Sequence, residues 1–513
     1  MSVTATNPIL SGFYPDPSIC AVGEDFYLVN SSFAYFPGLP VMHSKDLAHW
    51  EQIGNVLDRP SQLPLKGAEI SQGLFAPTIR YHEGVFYCIC TNVTFGGNFV
   101  VTATNPAGPW SEPHYLEGAD GIDPSLFFDE DGKCYYTGTH PNPEGPKYNG
   151  DWYIYIQELD IENFKLVGEK HNVWNGALKG CIWPEGPHIY KMGEYYYIIH
   201  AEGGTGPEHA ICTARSKDIY GPYENNPCNP IFTHRHLGVR YPIKYVGHGD
   251  LFETVNGDMY IVMLAVRPAN GYTTMGRETF LARVIMENDW PVVNPGLGIL
   301  SKEVIIDLPE YKVQVDDRLT PSSDKHYEFS KMDALPINFL TLRNPIDDKI
   351  TFSDKGLSVE CDNEQVNYIC VRQDSHVFES VCVLRTENLV DGVKAGLVLF
   401  QNSNYHLKLE YAGCTGSLIM VKDGVEEKIA SKMLPADSVT MYFSVIGTNA
   451  SVYMGIGNQL ELLAKDVDVS ALSTEVAGGF VGCTVGIYTS DTDEREEKAK
   501  ACFKSFSYRP KAK

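Results

Sequence analysis

The stretch Asp16-Pro17-Ser18-Ile19, followed at once by Gly23-Glu24-Asp25-Phe26, is the first of five copies of one local pattern. The other openings are Ala76-Pro77-Thr78-Ile79, Asp123-Pro124-Ser125-Leu126, Glu185-Gly186-Pro187-His188-Ile189 and His248-Gly249-Asp250-Leu251. Each precedes a Gly-led aromatic run: Gly84-Val85-Phe86-Tyr87, Gly132-Lys133-Cys134-Tyr135, Gly193-Glu194-Tyr195-Tyr196 and Gly257-Asp258-Met259-Tyr260. The aligned aromatics recur roughly every 50 to 65 residues, and Gly, Pro and Asp turns separate short alternating segments. About four antiparallel strands per repeat, five times over, predicts a five-bladed β-propeller. In a radial array equivalent positions face one axis. Asp16, Asp123, Glu185 and His248 are then expected to converge, with Ala76 as the one uncharged opening.

The pattern stops near residue 300. A polar, Pro- and Ser-containing stretch follows, and from about 326 the chain alternates again, as in Ala395-Gly396-Leu397-Val398-Leu399-Phe400 and Tyr405-His406-Leu407-Lys408-Leu409. The predicted organisation is all-β, with a propeller catalytic domain over 1–308, a linker over 309–325 and a β-sandwich over 326–513.

Composition narrows the partners. A net charge of −24 repels phosphate backbones and anionic lipid heads, so nucleic acid and membrane are poor partners, while a neutral substrate such as a sugar or oligosaccharide is permitted. A homo-oligomer is a permitted assembly. No apolar run approaches the ~18 residues of a membrane span, and Met1-Ser2-Val3-Thr4-Ala5-Thr6-Asn7-Pro8 has neither the basic nor the apolar region of a signal peptide. The 13 cysteines are scattered without a paired C-x-x-C, which disfavours zinc and a disulfide framework and suits a reducing, cytoplasmic location.

The converging side chains have a chemistry in common. An ionised carboxylate takes a proton from water, a protonated one gives a proton to a leaving oxygen, and a third carboxylate nearby raises the acid's pKa. Asp16, between two prolines, and Asp123 would each read alone as a turn residue. Glu185 lies among the apolar and rigid residues of Trp183-Pro184-Glu185-Gly186-Pro187, where burial favours its protonated form. His248 has three readings: a contact to a sugar hydroxyl, a ligand of a structural calcium held partly by water, or a satisfied core histidine. Arg277, in Gly276-Arg277-Glu278-Thr279, is suited to fork two sugar hydroxyls or to pair with an acid. Phe33 and Phe75 are candidates for an apolar wall against a sugar ring, or for core.

Taken in order, Tyr14-Pro15-Asp16-Pro17-Ser18, Phe75-Ala76-Pro77, Gly121-Ile122-Asp123-Pro124-Ser125, Glu185-Gly186-Pro187-His188-Ile189, Ala201-Glu202-Gly203-Gly204-Thr205, Gly247-His248-Gly249-Asp250 and Gly276-Arg277-Glu278-Thr279 resemble glycoside hydrolase family 43. The similarity is to its two-domain β-xylosidases and α-L-arabinofuranosidases, whose second domain is a concanavalin A-like sandwich. It implies inverting, exo-acting hydrolysis of short xylo-oligosaccharides or arabinoxylan fragments, with no cofactor required for the chemistry. Asp16 would be the general base, Glu185 the general acid and Asp123 the residue that tunes and orients the acid. Arg277, His248 and Phe33 would line the terminal-sugar subsite. Inversion predicts a separation of roughly 6.5–9.5 Å between the Asp16 and Glu185 carboxyl groups.

This chain departs from the family pattern twice. Many such xylosidases carry Trp where this chain has Phe75. Their sandwich also sends a Phe to the pocket mouth, whereas Gly479-Phe480-Val481-Gly482-Cys483-Thr484 is expected to offer Thr484 there, leaving the mouth less closed. The alternatives are a predominantly arabinofuranosidase activity, a fructosyl hydrolase and a non-catalytic sugar-binding propeller. The fructosyl reading is disfavoured because Ile122-Asp123-Pro124 and Glu185-Gly186 replace its Arg-Asp-Pro and Glu-Cys motifs. The non-catalytic reading requires a missing acid or base.

Overall fold

The computed structural model describes residues 2–511, apart from Lys179, Gln314, Val315 and Asn388. Five four-stranded antiparallel sheets follow one another in the chain. Their innermost strands are Ser18–Val22, Thr78–His82, Ile122–Phe128, Glu185–Met192 and Lys244–Glu253. Each packs beside the next, and the fifth packs beside the first, so the ring closes. A short ladder of Val3–Thr6 with Glu303–Ile306 ties the two ends of the propeller together.

The hairpins explain the Gly-led pattern. Gly23 (φ +62°) and Gly193 (φ +59°) each open the two-residue turn between the first and second strands of their blades, a left-handed position that glycine occupies without a Cβ clash. The aromatics that follow fill the space between blades: Phe26 packs on Phe252 of the fifth blade, and Tyr27 on Phe86 of the second.

Beyond residue 325 two further sheets form a sandwich. Strand Thr484–Asp491 lies between Val393–Asn402 and Asn367–Arg372, and its sheet ends on a strand of the propeller. Tyr35–Phe36, from the first blade, pairs with Leu340–Leu342, with Phe36 opposite Thr341 and Tyr35 opposite Leu342. One apolar core therefore runs through both units, holding Phe13, Tyr35 and Phe36 together with Leu340, Tyr368, Phe400 and Val481. Polar contacts fasten the same face: Arg372 donates to the Phe13 carbonyl (2.8 Å), and Cys483 N–H to the Thr274 carbonyl (2.7 Å).

Candidate active site

The five innermost strands place the repeat openings around one axis by a shared backbone device. Asp16 (φ +51°), Asp123 (φ +52°) and His248 (φ +47°) are all left-handed, and in the fourth blade the left-handed residue is Gly186 (φ +56°), next to Glu185. Ladder register shifts at Ile122/Ser125, Glu185/His188 and Gly247/Gly249 mark the same bulge. Bulges re-aim a side chain at the cost of local strain, and such strain gathers at functional sites.

Asp16, Asp123, Glu185, His248, Arg277, Phe33 and Phe75 all line a single cavity of about 540 Å³. These seven residues are thus brought together there, and Ala76 lies beside Phe75 in the wall.

The floor of this cavity is closed two residues further along each inner strand, or three in the fourth blade. Ser18, Thr78, Ser125, His188 and Asp250 are all buried and polar. The Arg80 guanidinium donates to both Asp250 oxygens (2.8 and 3.0 Å), while Ser18 and Tyr190 hydroxyls donate to the same carboxylate (2.6 and 2.5 Å). This network joins the first, second, fourth and fifth blades and fills the axis, which makes the cavity a blind pocket.

The three acids have different surroundings. Asp16 Oδ1 accepts from Arg277 Nη1 at 2.5 Å, and Oδ2 from Ser31 Oγ at 2.6 Å. Burial by itself would raise its pKa. Arg277, His248 and the Ser31 hydroxyl outweigh burial and hold the carboxyl below its ordinary value, hence ionised. Asp123 is also buried, and its Oδ2 accepts the Gly186 N–H at 3.0 Å. Burial, opposed by His248 and reinforced by Asp16, pushes it up to about 6. Glu185 is raised well above the usual carboxylate range by burial and then by the charges of Asp123 and Asp16, so it keeps its proton near neutrality. The pocket therefore presents an ionised carboxylate, a protonated carboxyl and a third acid hydrogen-bonded to the residue after the protonated one.

Arg277 and Glu278 alternate across their strand. Arg277 turns to Asp16, while Glu278 turns away to Arg267 (2.7 Å) and the Gly12 N–H (2.9 Å). Phe33 and Phe75 form an aromatic wall, with centroids 5.5 Å apart.

The third ring of that wall corrects an expectation. It is Phe480 of the sandwich, 6.0 Å from Phe33 and 6.1 Å from Phe75, while Thr484 is fully buried between the Tyr35 and Tyr368 hydroxyls (3.1 and 3.0 Å). Left-handed Gly478 and Gly479 swing Phe480 outward, and the Ser71 hydroxyl accepts its N–H at 2.9 Å. The sandwich therefore does supply a Phe at the pocket mouth.

Trp152 and Trp183 also line the pocket, although neither occupies a repeat-equivalent position. His209 stands behind Glu185, with Nε2 4.0 Å from Oε1 and Nδ1 2.9 Å from the Tyr245 carbonyl. Burial pushes it down to about 4, so it is neutral. A Cβ at Gly247 would lie 2.3 Å from its ring, a steric trace visible only in three dimensions.

Protein side chains alone do not make a calcium cage around His248. Its ring packs against Gly186, where a Cβ would lie 2.7 Å from it. The nearby carboxylates are already committed, Asp16 to Arg277 and Asp123 to the Gly186 N–H, whereas calcium takes six to eight oxygen ligands. Among the described residues, the metal-capable side chains close enough to share an ion are His200, Glu202 and Cys212, away from His248.

Comparison with known proteins agrees with this geometry. The description "Glycosyl hydrolases family 43" matches residues 5–291, and "Beta xylosidase C-terminal Concanavalin A-like domain" matches residues 326–509. A xylosidase/arabinosidase of Butyrivibrio fibrisolvens is 50% identical over 509 residues, covering 96% of this chain and 97% of its own. A non-reducing end α-L-arabinofuranosidase of Bacteroides ovatus is 36% identical over 508 residues, covering 95% and 91%. The crystal structure of a xylan β-1,4-xylosidase from Bacillus halodurans superposes with a TM-score of 0.89 at 32% identity, over 98% of this chain and 100% of that one. With the first description spanning more than half of its length, the chain belongs to glycosyl hydrolase family 43.

Proposed function

We propose that this enzyme is an exo-acting, inverting glycosidase that releases terminal β-1,4-linked xylose, α-L-arabinofuranose or both from short xylo-oligosaccharides and arabinoxylan fragments. The observation that carries this reading is the divergence of two carboxyls in one blind pocket: Asp16 held ionised by Arg277, and Glu185 held protonated by burial and by Asp123. Asp16 takes a proton from water as the water oxygen bonds to the anomeric carbon. Glu185 gives its proton to the glycosidic oxygen as that carbon–oxygen bond breaks. Asp123 keeps Glu185 protonated and fixes the adjoining Gly186 N–H. Arg277, held by Asp16, presents its remaining N–H groups to sugar hydroxyls, and His248 faces the same space. Phe33, Phe75 and Phe480 offer ring faces and edges to the sugar. The chemistry requires water, an acid and a base, with no cofactor.

The closed floor supports exo action, because a chain can enter only by its end. Activity on both sugars is supported by the name of the Butyrivibrio relative. A predominantly arabinofuranosidase activity is the second reading, favoured by Phe75 in place of Trp and by the name of the Bacteroides relative. All 13 cysteines are free thiols, which supports a cytoplasmic site of action, to be checked by fractionation of the source cells.

The test is hydrolysis of 4-nitrophenyl β-D-xylopyranoside and 4-nitrophenyl α-L-arabinofuranoside, with NMR detection of the first-formed anomer. Release of the inverted anomer is expected, with at least about a thousandfold lower kcat in Asp16→Asn or in Glu185→Ala on xylobiose. No turnover of either glycoside by the parent enzyme, or the retained anomer, would overturn the reading.

A further inference from the structure

Behind the strand that ends at Glu202 lies a cluster the hydrolytic chemistry does not use. His200 and Glu202 are two apart on strand Tyr195–Glu202 and so share a face, and Cys212 pairs directly with His200 across the ladder. The ligand-capable atoms of these three side chains all lie within 4.8 Å of one another. All are buried, at 0%, 4% and 1% exposure. His200 Nε2 is 2.8 Å from Glu202 Oε1, and its Nδ1 has no hydrogen-bond partner.

A second thiol lies nearby. Cys181, on the loop leading into Trp183 and Glu185, is buried on the Glu202 side of Gly176 and donates its S–H to the Ile182 carbonyl (3.6 Å). Space for its sulfur exists because residue 176 is glycine: a Cβ there would lie 2.7 Å from Cys181 Sγ and 3.3 Å from Glu202 Oε1. Glu202 also accepts the Ala177 N–H, so the carboxylate has a loop-anchoring role without any ion. That role does not account for a buried thiol, Cys212, placed within ligand distance of both the imidazole and the carboxylate.

We propose that His200, Glu202 and Cys212 form a binding site for a thiophilic divalent cation of the zinc class, which Cys181, outside that close group, joins as fourth donor on loading. One imidazole nitrogen, one carboxylate oxygen and two sulfurs make a tetrahedral donor set that suits zinc or cadmium and not calcium or magnesium. Each coordinating thiol releases its proton to solvent; the two thiolates and the Glu202 carboxylate carry three negative charges against the ion's two, so the loaded site holds one net negative charge. The site is coupled to the acid's own loop: Cys181 lies two residues before Trp183, and the Gly203 N–H donates to the Ile182 carbonyl at 3.0 Å. Loading is expected to fix this loop and so to change turnover.

The experiment titrates the reduced, chelator-treated full-length protein with cadmium and then with zinc. Expected are one equivalent bound, an ultraviolet cadmium–thiolate charge-transfer band, and displacement of that band by zinc. Cys212→Ser is expected to weaken cadmium binding by at least about tenfold and Cys181→Ser to reduce the band. Cys228→Ser and Cys414→Ser, which alter exposed thiols, should leave it intact. Thermal melts establish that each variant is folded. Should Cys212→Ser not fold, Cys181→Ser alone decides, with an undiminished band counting against the site. Absence of a band in the parent protein, or loss of the band only with the exposed cysteines, overturns the proposal.

Discussion

Three residues at the axis, Asp16, Asp123 and His248, accept a left-handed backbone that most side chains avoid at a cost of order 1–3 kcal/mol each. Asp and His tolerate that region better than most residues, and the kink turns each side chain inward instead of leaving it along the strand. The charges then act on one another at short range. Asp123 in its ionised form helps to hold the proton on Glu185, so removing that charge must lower the Glu185 pKa. For Asp123→Asn, whose amide oxygen still accepts the Gly186 N–H, the alkaline limb of kcat/KM against pH is expected to move to lower pH by on the order of one unit. On the proposed roles the acidic limb belongs to Asp16, which Arg277 holds low, and it should barely move, because Asp123, raised to about 6, is already protonated where Asp16 titrates. An alkaline limb that stays in place would show that Asp123 does not set the ionisation of Glu185. The ionisable openings were legible as a repeat. His209 was not, because its relation to Glu185 runs through a neighbouring strand and a glycine-sized gap at Gly247.

At the scale of the element, the inner strands carry two layers, pocket-lining side chains at the bulge and a structural network two or three residues on. Arg80 is the structural counterpart of the acids: it comes from the one blade whose opening, Ala76, carries no charge. The Asp250 carboxylate is fully buried and accepts from Ser18, Tyr190 and the Ile19 N–H as well as from the partly buried Arg80 guanidinium. Removing one partner leaves the other charge buried alone, which costs about 3–5 kcal/mol. Arg80→Met is therefore expected to lower the unfolding free energy by that amount in urea titrations. A change below about 0.5 kcal/mol would mean the plug does not hold the blades together. The Asp250 carboxyl lies far below its ordinary range, since Arg80, His188 and the hydrogen bonds from Arg80 and Ser18 overcome its burial. Its contribution is fully present above the unfolded value of about 3.9 and is lost as pH falls toward the folded value. The deficit of Arg80→Met should accordingly be full above the unfolded value and shrink as pH falls, because the parent loses this contribution in acid and the variant has little of it to lose.

The whole molecule decides who closes the pocket. A sandwich that shares a sheet with the first blade and a core with Phe13, Tyr35 and Phe36 is held rigidly enough to deliver one side chain, Phe480, beside Phe33 and Arg277. Phe480 is 39% exposed, so its truncation removes little core packing. Phe480→Ala is expected to lower kcat/KM on xylobiose about tenfold, or ~1.4 kcal/mol, mainly through KM, with an unchanged melting temperature. An unchanged KM would mean that the sandwich does not contribute to substrate binding.

The sequence by itself determined the architecture and the acids. Five repeats of strand, turn and aromatic carry their own hydrophobic period and turn chemistry, and local interactions suffice to specify a blade. Because blades are radially equivalent, one position in each repeat faces the axis, and Asp16, Asp123, Glu185 and His248 could be read off before any coordinates. Only the tertiary structure decided the ionisation of the acids, the ring that closes the mouth and the cluster around Glu202. Arg277 lies 261 residues from Asp16, and Phe480 lies 409 residues beyond Ser71. Cys212 meets His200 through strand register, not through a spaced motif. Burial and charge act through space, and contacts between distant segments follow from how two sheets share an edge, which no local pattern encodes.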